Sequence, residues 1–506
     1  MRKFYFVSVI ILISVTSCST LSKNYNPNKK FSRAELQQDY SLLRNILEKK
    51  HPALYWYTPQ DSMNFYFDSL YQSIPDSMTE LQFGWRIIAP LTQKIHCGHT
   101  SFGMSKQWGK FIKDKRVPSF PLFLKIWGDT MVVTGNLNRK DSVIKRGMLI
   151  TSINGVPNNK VIQRIFQYLP LDGYAENVNY VRISANFPYF HRNVFGLYKN
   201  YWVKYIDSTG KERQTTIPMF TPPQDSGKKL KPPKVEKISK QERRKEQREE
   251  ARSLEIDTAT HTATMSLNTF SKGDGRQLRI FIKKSFKKLR KQNVQNLILD
   301  LRSNGGGDIG MYVLLTKFIR NSKFKVADTS YAVAKSLRPY TGDIRQGLLY
   351  NFGMLFLTKK RKDGLYHFGY WERHFFKPKG KNHFDGKVFV LTNGPTFSAS
   401  TLFCNAVKGQ PNVKLVGEET GGGWHGNSGI MIPDIILPIT KLRVRLPLFK
   451  LVQYNHVPKD GKGITPDIFV PPTAEGVRKG IDRKMELVKE MIIEEPPIES
   501  SKGAGR

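Results

Sequence analysis

The sequence predicts a multidomain protein of the α/β (α+β) class, with a helical block first, a β-rich module next and an α/β unit last. Three observations support this prediction. Apolar residues recur at helical spacing near the N terminus, short β-like runs follow, and strand–turn–helix patterns dominate the second half. With 506 residues, of which 39% are hydrophobic and 12% aromatic, the chain is large enough to form several cores.

Changes in composition and periodicity divide the chain into seven predicted segments. They are 1–17, a lipoprotein signal peptide; 18–30, a tether; 31–112, a helical domain; 113–220, a β-rich module; 221–255, a charged linker or insertion; 256–475, an α/β core; and 476–506, a C-terminal helix and tail.

The net charge of +39 suggests nucleic acid or an anionic membrane surface as a partner. The excess of Lys and Arg is spread over the whole chain, and no known nucleic-acid-binding pattern is present. We therefore expect no nucleic-acid partner. The cysteines Cys18, Cys97 and Cys404 are too few for a disulfide framework, and no CxxC pair indicates a structural zinc site.

Residues 1–18 have the composition of a bacterial lipoprotein signal. Arg2 and Lys3 precede an apolar run, and small residues lead to Cys18. The apolar run is too short to span a bilayer, which needs about 20 residues. Residues 15–18 resemble a lipobox, in which the cysteine is lipidated; the alternative is an ordinary cleavage site with an incidental cysteine. We expect export and lipid attachment in the bacterial cell envelope, on the periplasmic or surface side of the outer membrane.

Local patterns predict individual elements. Ser32 and Glu35 form a capping box before a helix, and the helical stretch 79–91 is expected to stop or kink at Pro90. Asn154-Gly155 between apolar runs predicts a hairpin. Further predictions are a helix face of Leu278, Ile282, Phe286 and Leu289, buried strands at 296–300, 387–392 and 413–416, and an exposed charged helix at 239–250.

Two turns next to predicted strands carry residues suited to catalysis. In DLRSNGGG, residues 300–307, the glycines allow a sharp turn that aims N–H groups into a cavity; the alternative, a phosphate loop, lacks its lysine. In NGPTFSAS, residues 393–400, a serine at a strand-to-helix turn could act as a nucleophile. The alternative is that Ser398 or Ser400 only caps the helix.

Together with VGEETGGG at 416–423, these turns resemble the C-terminal processing, or tail-specific, protease family over about 256–472. The resemblance implies a ClpP/crotonase-like α/β catalytic core. It also implies that the module with Gly147 and Asn154-Gly155 is PDZ-like. On this resemblance Ser398 is the nucleophile, and the N–H groups of Ala399 and Gly306 form the oxyanion hole. The implied activity is cleavage of proteins or peptides through an acyl-enzyme, without metal or cofactor.

One departure from the best-known branch of that family points to a different base. No lysine follows Thr420 at the position where that branch carries its base. The tricorn-core branch uses a histidine in a segment similar to Gly98-His99-Thr100 and an acidic residue three positions before a GITPD-like motif. By this resemblance His99 is the base and Asp460 orients it, and we predict a Ser398–His99–Asp460 triad.

Alternatives remain open for several of these assignments. His96 lies three residues from His99 and could be the base, or both could be core histidines; His425 could line the site. Cys97 has no local signature of a thiol protease. Asp300 and Arg302 are expected to form a structural ion pair. A non-catalytic ligand- or peptide-binding envelope lipoprotein on the same fold is the alternative function, and a PDZ-like interaction scaffold is a third.

Overall fold

The computed structural model describes residues 25–113, 115–207, 209–222, 239–271, 275–454 and 457–494. The predicted signal peptide, Cys18, part of the tether, part of the charged linker and the end of the tail lie outside these ranges. Within the described ranges the fold class is confirmed, because helices and several sheets form a multidomain α/β protein.

The N-terminal block is helical, as predicted. The capping box is present: Glu35 N–H donates to Ser32 Oγ, and Ser32 N–H donates to the Glu35 carboxylate. The elements of the block are β1 Lys30–Ser32, α1 Arg33–Lys50, α2 Gln60–Gln72, β2 Ser77–Thr79, α3 Glu80–Phe83, a π-helical turn Gly84–Ile88, α4 Ala89–Lys94, β3 Phe102–Gly103 and α5 Lys106–Ile112.

The predicted stop at Pro90 is not observed, because α4 continues to Lys94. The π-helical turn Gly84–Ile88 changes the hydrogen-bond register just before α4, and Pro90 lies in the first turn of α4. Ile88 and Ala89 keep helical dihedrals, so the helix is continuous through Pro90, and the π-helical turn precedes the point where the proline has no N–H to donate. The helix therefore extends to the segment that carries His96 and His99.

The β-rich module is an antiparallel sheet, in the order β4-β5-β6-β8-β9, with three helices. The predicted hairpin is confirmed: Ile153 pairs with Val156, and both Asn154 and Gly155 have positive φ. The elements are β4 Leu122–Trp127, β5 Thr130–Asn136, β6 Leu149–Ile153, β7 Val156–Pro157, α6 Asn158–Phe166, α7 Asn177–Ala185, α8 Phe187–Phe195, β8 Asn200–Ile206 and β9 Glu212–Pro218.

The rest of the described chain contains the α/β core. The charged helix predicted at 239–250 is confirmed as α9, and the helix face that includes Leu278 is buried in α10. The elements are α9 Lys240–Ala251, β10 Arg252–Asp257, β11 Thr262–Leu267, α10 Gly275–Lys291, β12 Asn296–Asp300, α11 Ile309–Ile319, β13 Ala327–Ala332, a 3₁₀ turn Tyr340–Gly342, α12 Gly347–Leu357, β14 Lys359–Lys360, β15 Tyr366–His367, α13 Gly369–Arg373, β16 Lys387–Thr392, α14 Ala399–Val407, β17 Val413–Gly417, β18 Gly426–Ile430, β19 Asp434–Ile436, β20 Arg443–Arg445, β21 Phe449–Gln453, β22 Ile468–Phe469, α15 Ala474–Lys479 and α16 Arg483–Glu494.

A six-stranded sheet, in the order β10-β11-β12-β16-β17-β22, forms the centre of the core. From β11 onward all of its strands are parallel, so their carboxyl ends meet at one edge. The turns that follow β12 and β16 therefore lie side by side at this edge. These are the two turns in which the sequence indicated chemistry.

The N-terminal block is not packed as an independent unit. Its buried apolar residues belong to the same hydrophobic cluster as those of the α/β core, and β3 pairs with β20. Buried Asp39 of α1 accepts bonds from Ile439 N–H and from the N–H and hydroxyl of Thr440. The β-rich module has its own cluster. None of the helices in the described ranges has the length and apolarity that crossing a membrane requires.

Candidate active site

Ser398 occupies the turn between β16 and α14. Its backbone has φ 54° and ψ −122°, a left-handed conformation that non-glycine residues rarely adopt and that costs about 1–3 kcal/mol. The half-buried Ser398 side chain makes no capping hydrogen bond to the helix and lines a cleft near the sheet edge. A strained turn that presents a serine to a cleft is typical of a nucleophile.

Ser400 does not cap the helix either, although capping was one of its predicted roles. It lies in the first turn of α14 and is fully buried. Within the described ranges its hydroxyl has no hydrogen-bond partner. Ser400 therefore fills space in the core and does not face the cleft.

The loop after β12 packs directly against the Ser398 turn. Gly306 has φ 89°, and a β-carbon there would lie 2.7 Å from Ser398 Cβ and 2.8 Å from Ala399 N. Asn304 holds the loop: its Oδ1 accepts a bond from Gly306 N–H (2.9 Å), and its Nδ2 donates to Leu267 O (2.9 Å). Only glycine fits this approach, since any side chain would displace the serine turn.

His99 and Ser398 face the same point, next to Gly429 of β18. A β-carbon at Gly429 would lie 2.9 Å from Ser398 Oγ and 3.0 Å from His99 Nε2. Both side chains line the cleft, and the His99 ring packs on Phe397 at 4.8 Å between centroids. Neither His99 nitrogen has a hydrogen-bond partner among the described residues. The structure thus brings together two of the three residues of the predicted triad.

The carboxylate that faces His99 is Asp172, not Asp460. Asp172 Oδ1 lies 3.8 Å from His99 Nδ1, both side chains are buried, and Asp172 Oδ1 also accepts a bond from Gly98 N–H (2.7 Å). Asp460 is exposed, and its Oδ1 accepts a bond from Lys462 N–H (2.9 Å). The only sequence signal at Asp172 is the Asp-Gly pair, which indicates a turn and nothing more.

His96, the alternative base, points away from Ser398. Its Nδ1 lies 2.7 Å from Gly173 O, and its backbone carbonyl accepts a bond from Gly173 N–H (3.0 Å). Burial lowers the pKa of His96 despite the bond to Gly173 O, which acts in the opposite direction. A neutral His96 therefore holds the loop that carries Asp172.

A thiol nucleophile does not fit the neighbouring Cys97. Burial raises the pKa of the Cys97 thiol to about 12, so the free thiol stays protonated at neutral pH, whereas a nucleophile requires the thiolate. One ligand atom each of Cys97, His99 and Asp172 lie within 4.8 Å of one another, a spacing suited to a metal ion.

The cleft above Ser398 has a volume of about 620 Å³ and an aromatic wall. Trp85 packs edge-on against Phe102, Tyr189 and Phe190 in this wall. The described residues that line the cleft include no lysine. His425 does not line the cleft, and its Nδ1 lies 2.8 Å from Val457 O. Arg182 and Arg445 also line the cleft, so its lining is aromatic and cationic.

Asp300 and Arg302 form the ion pair predicted from the sequence. Arg302 Nη2 lies 2.6 Å from Asp300 Oδ2, and Arg302 Nη1 lies 2.6 Å from Asp482 Oδ1. These contacts tie the end of β12 to the residue just before α16. The pair is structural and does not line the cleft.

Comparison with protein families supports a peptidase. Residues 261–470 match the family model "Peptidase family S41". The matched region contains β12, β16, β17, β22 and Ser398, whereas His99 and Asp172 precede it. No curated protein sequence gives a significant match to this chain.

Comparison with solved structures supports the fold. Mature CPAF is 13% identical, with a TM-score of 0.59, and the alignment covers 92% of this chain and 99% of that chain. Mature CPAF complexed with lactacystin is 14% identical, with a TM-score of 0.58 and the same coverage. A CPAF mutant is 13% identical, with a TM-score of 0.61 and again the same coverage. At this identity the similarity concerns the fold, which extends over nearly the whole chain. The family model thus supports family S41 for residues 261–470, and the solved structures support the fold.

The position of Gly429 generates a test of the site. Gly429→Ala adds a methyl group between Ser398 Oγ and His99 Nε2 without a left-handed backbone to strain, so we expect peptidase activity to fall by at least about a hundredfold. Gly103→Ala is the matched control, because Gly103 also lines the cleft and a β-carbon there would meet only the Arg443 side chain, at 3.4 Å. Equal activity of the two variants would show that the two groups do not work together.

Proposed function

We propose that this protein is a serine endopeptidase that cleaves proteins or peptides through an acyl-enzyme, with Ser398 as nucleophile and His99 as base. The observation that carries the proposal is the shared position of Ser398 Oγ and His99 Nε2 beside Gly429, at a strained strand-to-helix turn. The match of residues 261–470 to peptidase family S41 supports the reaction class.

In the first step Ser398 Oγ attacks the scissile carbonyl while His99 Nε2 takes its proton and then passes it to the leaving amine. Water, deprotonated by His99, then hydrolyses the acyl-enzyme. A Ser hydroxyl needs such a base, and the absence of lysine from the described residues lining the cleft favours histidine over lysine. This choice agrees with the tricorn-like branch inferred from Gly98-His99-Thr100.

Asp172 is our proposal for the group that orients His99, in place of Asp460. Its carboxylate is buried, faces Nδ1 and is fixed by the bond from Gly98 N–H. A carboxylate in this position selects the tautomer with the proton on Nδ1 and stabilises the imidazolium that forms during the reaction.

The oxyanion would be held by the N–H of Ala399 and one N–H from the turn 305–307. Ala399 is the first residue of α14, where N–H groups lack intrahelical acceptors and the helix dipole favours negative charge. Gly306, the predicted second donor, already gives its N–H to Asn304 Oδ1. Gly305 and Gly307 also line the cleft, and either is better suited than Gly306 to supply the second N–H.

Labelling by a fluorophosphonate probe tests the nucleophile. The parent protein should react, Ser398→Ala should lose the label, and Ser400→Ala should keep both label and activity, because its hydroxyl is buried away from the cleft. Ser400→Ala should also leave stability unchanged or slightly higher, since it removes a buried hydroxyl without a partner. A folded parent that takes no label would favour the alternative, a ligand- or peptide-binding protein on the same fold.

A pair of variants tests the carboxylate. Asp172→Asn should lower kcat by about 10²–10⁴-fold, because it favours the wrong tautomer of His99 while keeping the shape of the side chain. Asp460→Asn, an exposed position, should stay within about tenfold of the parent. Steady-state kinetics of the two purified variants measures both kcat values. A larger loss of kcat in Asp460→Asn than in Asp172→Asn would restore Asp460 as the orienting residue.

We further propose that the protein is tethered to a membrane of the bacterial cell envelope through lipidated Cys18. The support is the signal-like composition of residues 1–17, since Cys18 lies outside the described ranges. Cells expressing the parent should incorporate radiolabelled palmitate into the protein, and cells expressing Cys18→Ala should not. Equal incorporation into both would contradict lipidation at Cys18.

A further inference from the structure

Helix α12 presents an apolar face to the outside of the molecule. Its sequence, GLLYNFGMLFL, contains no charged residue. Leu348 is 80% exposed and Phe356 is 73% exposed. The exposed side chains, here called the α12 face, are Leu348, Leu349, Phe352, Leu355, Phe356 and Leu357. Large contiguous apolar patches are rare on soluble proteins unless they bind something.

The opposite side of α12 is firmly packed, so the helix is a fixed element of the fold. Met354 is buried, and a β-carbon at Gly353 would lie 3.2 Å from Met431 Cε. Asn351 Nδ2 donates to Thr341 Oγ1 (3.1 Å). On the α12 face itself the Phe352 and Phe356 rings lie 4.6 Å apart between centroids. The exposed side chains therefore project from a rigid support.

Positive charge adjoins the α12 face. Lys359, Lys360 and Lys362 follow the helix and are exposed, and no acidic residue occurs between positions 345 and 362. The two arginines of this segment already have acidic partners. Arg345 Nη1 lies 3.8 Å from Asp434 Oδ2, and Arg361 forms an ion pair with Glu372. The lysines are thus the cations available to an external anionic surface.

We propose that the α12 face inserts into the surface of an anionic lipid bilayer, with the three lysines against the lipid headgroups. With 11 residues, α12 is about 16 Å long, too short to span a bilayer, so it lies in the interface. A second copy of the chain fits less well. In a two-fold dimer through this face the lysines that follow one helix would lie beside either the same lysines or the Arg345 end of the other helix. The adjoining Asp363 already bonds His367 in its own chain. The proposal does not depend on the peptidase assignment.

Vesicle sedimentation of the chain from residue 19 onward, which retains every described residue and lacks Cys18, tests the proposal. The parent should bind vesicles of phosphatidylglycerol and phosphatidylcholine more tightly than vesicles of phosphatidylcholine alone. The triple variant Leu349→Ser/Phe352→Ser/Phe356→Ser should bind at least about tenfold less, because the inserted apolar area is lost. Lys359→Gln/Lys360→Gln/Lys362→Gln should lose the preference for anionic vesicles.

The matched control is Phe65→Ser/Trp202→Ser/Phe469→Ser, which removes three aromatic side chains that are 66%, 62% and 65% exposed elsewhere on the molecule. It should bind vesicles like the parent, and thermal melting should show that all variants remain folded. Unchanged vesicle binding by the α12 triple variant would overturn the proposal. The proposal would also be overturned if the parent did not bind vesicles and instead formed a dimer, detected by light scattering, that the α12 triple variant converts to monomer.

Discussion

The candidate site depends on the hydrogen bond from Gly98 N–H to Asp172 Oδ1, 2.7 Å long. It joins the segment of the N-terminal block that carries His99 to a loop of the β-rich module. Three more hydrogen bonds fix the same loop. Gly173 N–H donates to His96 O, Gly173 O is bonded by His96 Nδ1, and Tyr174 N–H donates to Gly461 O (2.7 Å). These bonds hold the Asp172 carboxylate beside His99, and the N–H of Gly98 offsets part of the cost of its burial.

The second constraint is the close contact between the two turns at the edge of the central sheet. The strained backbone of Ser398 persists because its surroundings are rigid: Gly306 touches the turn from one side, and Thr396 Oγ1 donates to Leu301 O (2.9 Å) beneath it. Gly422 closes the third side, where a β-carbon would lie 3.1 Å from Ser398 N. The glycine-rich motifs of the sequence are therefore packing requirements of one serine turn.

Much of the fold was predictable, because its signals are local. The capping box at Ser32, the hairpin at Asn154-Gly155 and the strands at 296–300, 387–392 and 413–416 each follow from short patterns, and the structure confirms them. The segment boundaries stay predictions, and the sheet itself begins at Arg252, inside the predicted linker. Ser398 and His99 were predicted through motif resemblance, which preserves spacing along the chain.

Asp172, the residue proposed to orient His99, could not be predicted from a motif. Its position beside His99 depends on contacts between distant segments and not on a local pattern. Asp460, chosen by spacing, lies in an exposed loop in this chain. The α12 face was not predicted because its sequence signal is misleading. An apolar run of this composition usually indicates a buried core helix. Burial depends on what packs against a helix, and the sequence does not specify that partner.

The origin of His99, Asp172 and Ser398 in three parts of the chain has a consequence for biosynthesis. A polypeptide that emerges N terminus first exposes His99 early, Asp172 later and Ser398 only after most of the protein has been made. The three groups meet once the module has docked and the central sheet has closed. On the proposed assignment, a nascent chain consequently has no complete site with which to cut its own unfolded segments, and proteolytic competence arises only with the finished fold.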